Sequence, residues 1–306
     1  MPIIQHLGTA YAAGGATNWN NPFFDTTYEN GVASWNSSGT DIGNAPNHPA
    51  YSAGTDTYGD FIVFGPRDSR QDVRIYDAYT GSLVHTATLN QNANTYGIGM
   101  NSVNGKIYWT DYAQTNAYMI DVSSYCSNNS SGTKLTWSSS SSGSHGVTSG
   151  SSFYPWTGAG NDSRCDVHQH LYFPNNTGHP FHDHWMISGR SSGKKLWFFP
   201  DAGTQSSAAY TINWPNSAGG NGCHGASYDW QTNGIIVHDR SHDLAYIYGA
   251  GTGPSLNTSG YSSFQSYTLG TNPHNFQPED MIIRRDGALV LMCSNTHKMT
   301  VYTRAS

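Results

Sequence analysis

The feature that most constrains this chain is a recurring phrase: a short β-rich stretch, a polar turn, a second such stretch and often a third. Asp60-Phe61-Ile62-Val63-Phe64-Gly65 is followed by a turn from Pro66 to Gln71, then by Val73-Arg74-Ile75-Tyr76-Asp77. The turn Tyr79-Thr80-Gly81 leads on to Leu83-Val84-His85-Thr86-Ala87-Thr88-Leu89. Further copies run from Gly105 to Asp111 with Ala117 to Val122, from His184 to Ser188 with Lys195 to Phe199 and Ala209 to Trp214, and from Gly234 to Asp239 with Leu244 to Gly249 and Phe264 to Leu269. The last couples Asp286 to Met292 with Met299 to Thr303. The stretches are too short for helices, rich in Val, Ile, Tyr, Trp and Thr, and bounded by Gly, Asn and Asp, so each reads as a strand.

Strands joined by tight turns form antiparallel meanders, and several meanders in series must close or stack to remove exposed edges. Radial closure predicts an all-β chain, a β-propeller of about five to six antiparallel blades with long polar loop insertions. The alternative is a β-sandwich or jelly roll. Residues 1–50 carry little strand signal and read as an N-terminal arm or ring-closing segment. Residues 51–306 read as the propeller domain, with an insertion around 123–183. Within it, Ser123 to Ser152 is Ser- and Gly-rich and reads as a solvated surface loop.

Two stretches add a resemblance. Asn104-Gly105-Lys106-Ile107-Tyr108-Trp109-Thr110-Asp111 resembles the repeat of YWTD-type propellers. Glu279-Asp280-Met281-Ile282-Ile283 through Leu291 is similar to the inner two strands of NHL-like and quinoprotein-like blades. The resemblance implies the propeller fold and no particular function, because propellers host many functions.

Composition narrows the partners. Charged residues make up 11% of the chain, against roughly 25% in ordinary soluble domains, and 34 Gly, 20 Tyr and 9 Trp set its texture. A net charge of -6 without a dense Lys/Arg run excludes nucleic acid, which needs a positive stripe. No apolar run is long enough to insert in a membrane. The start, Met1-Pro2-Ile3-Ile4-Gln5-His6, lacks the basic segment and apolar core of a secretory signal, so we expect either a signal already removed or a chain assembled inside a cell. Cys126, Cys165, Cys223 and Cys293 form no C-x-x-C pair and read as buried thiols, with two disulfides as the alternative.

Five of the 14 histidines fall in Cys165-Asp166-Val167-His168-Gln169-His170 and His179-Pro180-Phe181-His182-Asp183-His184. Alternate side chains of a strand share a face, so each H-x-H places two imidazoles together, and a hairpin would gather four. His168, His170, His182 and His184 are therefore candidate ligands for a transition metal, Zn or Fe, with His179, Asp183 and Asp166 as further candidates. The competing expectation is polar packing of these rings. Gly222-Cys223-His224-Gly225 and Glu279-Asp280 carry weaker catalytic signals, and no G-x-S-x-G elbow, P-loop or dinucleotide fingerprint is present.

These features favour a non-enzymatic structural or binding subunit of an extracellular assembly, a bacteriophage tail or capsid appendage contacting neighbouring subunits or a host surface. Its expected location is a virion or the extracellular space. A secreted carbohydrate-binding propeller, stacking Trp and Tyr on cell-surface glycan, is the alternative. A metal-dependent enzyme built on the His168–His184 cluster is the second alternative.

Overall fold

With the blades numbered in chain order, the structure adds an inner strand to blades 1, 2 and 4, and places Cys165–Leu171 and Pro278–Ile283, both read as strands in the sequence, as the inner strands of blades 3 and 5. The computed structural model describes residues 33–36, 53–66, 70–111, 117–139, 142–149, 165–189, 195–201, 208–213, 223–231, 233–239, 244–248, 264–268, 278–293 and 298–302. After β1 (Ala33–Asn36), blade 1 comprises β2 (Ala53–Thr55), β3 (Phe61–Phe64), β4 (Arg70–Asp77) and β5 (Leu83–Ala93). Blade 2 comprises β6 (Thr95–Asn101), β7 (Lys106–Asp111) and β8 (Ala117–Asp121). Four short strands follow: β9 (Cys126–Ser127), β10 (Thr136–Trp137), β11 (Ser142–His145) and β12 (Thr148–Ser149). Blade 3 is β13 (Cys165–Leu171), β14 (His184–Gly189), β15 (Lys195–Pro200) and β16 (Tyr210–Asn213). Blade 4 is β17 (Cys223–Asp229), β18 (Gly234–Asp239), β19 (Leu244–Tyr248) and β20 (Phe264–Thr268). Blade 5 is β21 (Pro278–Ile283), β22 (Leu289–Cys293) and β23 (Lys298–Tyr302), and β1 pairs antiparallel with β23 as its fourth strand.

The chain is thus an all-β propeller of five blades. Round the axis β2 lies against β6, β6 against β13, β13 against β17, β17 against β21, and β21 against β2. Parallel bridges join Asp56 to Met100 and Gly97 to Val167. Four of the five inner strands carry a β-bulge in their pairing with the second strand, at Tyr96/Ile98, Val167/Gln169, Cys223/Gly225 and Pro278/Asp280. Such bulges bend and twist a strand, here next to the axis.

The middle strands of the blades bury both faces, so β3, β14 and β15 read as unbroken apolar runs, whereas the outer β5 and β16 alternate. Phe61 and Val63 pack with Ile98, Met100, Ile107 and Trp109 of blade 2. Their neighbours Ile62 and Phe64 turn the other way and meet Ile282 and Val290 of blade 5, so packing closes the ring. Tyr108 of blade 2 meets Trp185, Ile187, Trp197 and Phe199 of blade 3. Met186 and Phe198 meet Tyr228, Ile235 and Val237 of blade 4. Each such side chain contributes about 1.5–3 kcal/mol of burial.

The Ser-rich stretch is more ordered than a plain surface loop. Its β11 adds in parallel to the free edge of β5, and its β12 adds to β8. At the β11 junction His145 Nδ1 donates to Asp121 O (2.9 Å), and its Nε2 lies 3.4 Å from Nε2 of His85. Cys126 is a buried free thiol bonded to Val122 O and Asn129 Oδ1, and burial pushes its pKa up to about 11. Cys165, Cys223 and Cys293 fall in β13, β17 and β22, with side chains outside the described residues, as are those of His224, Glu279 and Asp280. Among the described residues no helix is long and apolar enough to cross a membrane.

Candidate functional site

The hairpins joining first and second strands all lie at one end of the ring, and they close in the same way. Gly59, Gly105, Asn233 and Gly287 have φ between 59° and 85° and donate their N–H back to Asp56, Asn101, Asp229 and Arg284. Asp56, Asn101 and Asp229 also accept, through their side chains, the N–H two residues on, the Asx turn that short polar residues favour. Blade 3 departs from this pattern. Its hairpin runs the length of residues 172–183, and the left-handed position ahead of β14 is held by Asp183 (φ 58°).

Buried polar groups fill the axis between the hairpins. The Asp56 carboxylate accepts from the N–H groups of Tyr58 (3.3 Å), Asp60 (2.6 Å) and Phe61 (2.8 Å) and from Ser102 Oγ (2.9 Å). Gln169 donates to Asp56 O and Thr57 O of blade 1, and its Oε1 accepts from Tyr228 N (2.9 Å) and Ser227 Oγ (3.3 Å) of blade 4. Ser227 Oγ also accepts from Ile283 N of blade 5 (2.9 Å). Towards the rim, Arg285 Nη2 lies 2.5 Å from Asp60 Oδ2 and Tyr79 OH donates to Asp60 Oδ1 (3.0 Å). Burial, with the nearby Asp56 carboxylate, lifts the Asp60 pKa to about 7 against the pull of Arg285.

A hairpin forms, with Leu171 opposite His184 and His170 opposite Trp185, but only the first H-x-H pair lies in a strand; His182 stays in the loop ahead of β14, and the four imidazoles do not converge. Within the first pair the cause is a bulge. His168 is the extra residue in the pairing, so the alternation slips by one between the two histidines. His168 Nε2 lies 2.7 Å from Ser188 Oγ, while His170 faces Trp185 on the opposite side of β14. His168 and Ser188 have the atoms of a base and a nucleophile, yet both are buried beyond a substrate's reach. Asp166 is buried opposite Ser188.

The remaining three histidines close the 172–183 loop. His182 Nδ1 accepts from Phe173 N (3.1 Å), and its ring packs on Tyr172. His184 Nδ1 donates to His182 O (2.6 Å), and burial lowers its pKa. His179 stacks on Phe173 at a centroid distance of 3.7 Å, and its Nδ1 accepts from Phe181 N. Burial, reinforced by His182 and His184, lowers its pKa to about 4.

This sets a pH dependence. An unfolded histidine takes up its proton near pH 6.5, whereas folded His179 resists until about pH 4. In that window the unfolded state binds more protons, so stability falls as the pH drops. The full shift corresponds to about 3 kcal/mol, and screening at a loop leaves an expected loss of about 2 kcal/mol between roughly pH 7.5 and 4.5. Urea titrations across that range should show this loss in the native chain and a shallower slope in His179→Gln. An equal slope in both would assign the acid sensitivity elsewhere.

His170 belongs to a different constellation from the one its sequence neighbours indicate. His170 Nε2 lies 3.2 Å from Asp183 Oδ1, and His170, Asp183 and Asp201 bring one ligand atom each within 4.8 Å of one another. Its Nδ1 lies 3.1 Å from Thr57 Oγ1. Asp201, at the end of β15, accepts from Asn101 Nδ2 (3.1 Å) and Trp185 Nε1 (2.5 Å). The hydrogen bond with His170 holds the Asp183 carboxyl below its usual range. Asp201 stands outside the histidine-rich segment, and no local spacing in the sequence points to it.

No protein-family model and no curated protein matches the chain. Among solved structures it is similar to the WD40 β-propeller domain of Doa1, at 11% identity and a TM-score of 0.40 over 81% of this chain and 62% of that one. It is also similar to a chain of the Mitotic Checkpoint Complex, at 10% identity and a TM-score of 0.41 over 82% of this chain and 63% of that one. The chain spans just over three-fifths of the length of each. The five-bladed assignment rests on the strand pairings and blade interfaces.

Proposed function

We propose that this propeller is a non-enzymatic binding subunit and that the inner-hairpin end is its docking face. The observation that carries the reading is how the polar groups there are used. Asp56, Gln169 and Ser227 are buried and committed to holding the hairpins of separate blades together. What faces outward is a set of half-buried aromatics, Tyr79, Tyr172 and Trp230, with exposed Lys134 and Asp286. Aromatic and charged side chains on a rigid frame suit recognition of another protein surface. The Gly-, Asn- and Tyr-rich, charge-poor composition supports placement in an extracellular assembly, a phage tail or capsid appendage, with neighbouring subunits or a host surface as partners.

Trp230 favours a second reading. It is half-buried against Tyr58, Phe173 and Tyr228, an aromatic nest whose outer ring is a stacking platform for a sugar face. Electron microscopy for symmetric particles, whole-cell binding and a glycan array separate the two. Trp230→Ala and Tyr172→Ala should weaken whole-cell or subunit binding about tenfold or more, as loss of an interface anchor does. Thr211→Ala, exposed on the outer strand β16, should leave it unchanged. Equal losses from all three would place the docking face elsewhere, and glycan binding that vanishes with Trp230→Ala would favour the carbohydrate reading.

A further inference from the structure

We infer that His170, Asp183 and Asp201 form a binding site for a first-row divalent cation of the zinc class, with one imidazole and two carboxylates as protein ligands. The site differs from the four-histidine set that the sequence suggests, and it draws on three separate segments. His170 comes from the end of β13, Asp183 from the end of the long blade 3 hairpin, and Asp201 from the turn after β15.

The spacing fits. Two ligands bound to one such ion at about 2.0–2.2 Å lie about 3 Å apart, and His170 Nε2 is 3.2 Å from Asp183 Oδ1. The supporting partners fit as well. Histidine ligands are commonly oriented through their other ring nitrogen, and Thr57 Oγ1 stands 3.1 Å from His170 Nδ1. That hydroxyl accepts from Ser102 N (2.8 Å) and lies 3.5 Å from Met100 O. With a cation at Nε2 in place of the proton that otherwise bridges to Asp183 Oδ1, Nδ1 carries the ring proton and donates to Thr57 Oγ1. Asn101 and Trp185 each hold one oxygen of Asp201, fixing its plane.

Charge supplies a separate indication. His170 is fully buried, and among the described residues no Lys or Arg pairs with Asp183 or Asp201. Two carboxylates therefore converge on one imidazole without a Lys or Arg beside them among the described residues. Asp183 also occupies the left-handed position that Gly59, Gly105, Gly287 and Asn233 hold in the other blades, which sets the direction in which its carboxylate leaves the chain.

The bound ion would tie the 172–183 loop to the β15 turn, where Asp201 N already donates to Asp183 O (2.8 Å). Three protein ligands leave a coordination position for water or an acidic group of a partner. The inference does not depend on the docking face, because metal retention is read without any partner.

Cobalt(II) is the probe. Chelator-treated native chain should bind about one Co²⁺, read from visible absorption and displaced by Zn²⁺, with a raised thermal midpoint. Asp183→Asn and Asp201→Asn should each weaken binding about tenfold or more. Asp183→Gly should abolish it while leaving the metal-free thermal midpoint within a few degrees of native. His182→Ala should retain binding. Absence of stoichiometric Co²⁺ in the native chain would overturn the inference, as would loss in His182→Ala with retention in Asp201→Asn.

Discussion

Gly97→Ala is expected to abolish folding of this chain. Gly97 has φ 71°, a left-handed conformation that costs a residue with a Cβ about 1–2 kcal/mol. The larger effect is steric. A Cβ on Gly97 would stand 2.5 Å from Asp166 Cα and 2.6 Å from Asp166 C, and closer still to Val167 N. These are backbone atoms of the neighbouring inner strand, and Gly97 is also the residue paired with Val167 across the blade 2–blade 3 junction. No rotamer change relieves the clash, so the inner strands must separate and open the Trp185–Tyr108 core between the blades. The expected destabilisation exceeds about 4 kcal/mol, in the range reserved for severe core defects. Gly54→Ala should behave similarly, since its Cβ would lie 2.8 Å from His168 O and closer to Ile98 O. Gly146→Ala is the control: nothing lies within 4 Å of its Cβ, and its stability should match the native chain within about 0.5 kcal/mol. Soluble yield and urea midpoints check all three, and a cooperatively folded Gly97→Ala chain of native stability would refute so close an approach of the inner strands.

The same crowding explains which strands the sequence showed and which it hid. β3, β4, β14, β15 and β18 bury branched and aromatic side chains on both faces, so their runs are legible as strands. β2 and β6 sit where neighbouring backbones approach too closely for a side chain at Gly54 and Gly97. β2 reads Ala-Gly-Thr, β6 reads Thr-Tyr-Gly-Ile-Gly-Met-Asn, and β17 reads Cys-His-Gly-Ala-Ser-Tyr-Asp. Such segments resemble turns in composition, whereas the inner strands β13 and β21 are legible from their own residues. β1 was hidden for another reason: four residues, Ala33 to Asn36, acquire strand geometry by pairing with β23 at the far end of the chain.

The histidine site was half legible. A hairpin holding both H-x-H pairs follows from strand periodicity; a hairpin forms, but its second strand begins at His184 and leaves His182 in the loop. The bulge that separates His168 from His170 has no local signature, because a bulge is imposed by the bend the strand makes at the axis. Asp201 was invisible for the opposite reason: it joins His170 and Asp183 through the register of β14 on β15, a tertiary fact. An alternating pattern is a reliable guide to shared faces only while the ladder stays regular.

The spacer of the first H-x-H pair gives the other large effect. Gln169 is fully buried, and its amide is fully used: two donor contacts to the carbonyls of Asp56 and Thr57, and two acceptor contacts from Tyr228 N and Ser227 Oγ. No other uncharged side chain presents two N–H donors and a carbonyl at that reach. Gln169→Leu preserves bulk and leaves four polar groups without their partner, an expected cost of about 3 kcal/mol. Gln169→Glu should cost more, about 4 kcal/mol or above at neutral pH, because a buried carboxylate then faces two carbonyl oxygens. The two variants separate on acidification. Burial raises the pKa of the new glutamate, so protonation restores a donor, and the gap between Gln169→Glu and the native chain should narrow as pH falls towards about 5. The gap for Gln169→Leu should stay constant over the same range. Parallel urea titrations of the three chains at several pH values test this, and a Gln169→Glu gap independent of pH would mean that its side chain leaves the axis for solvent. A narrowing gap would establish that blades 1, 3 and 4 are joined through this one amide, on which the register of the hairpins at the docking end depends.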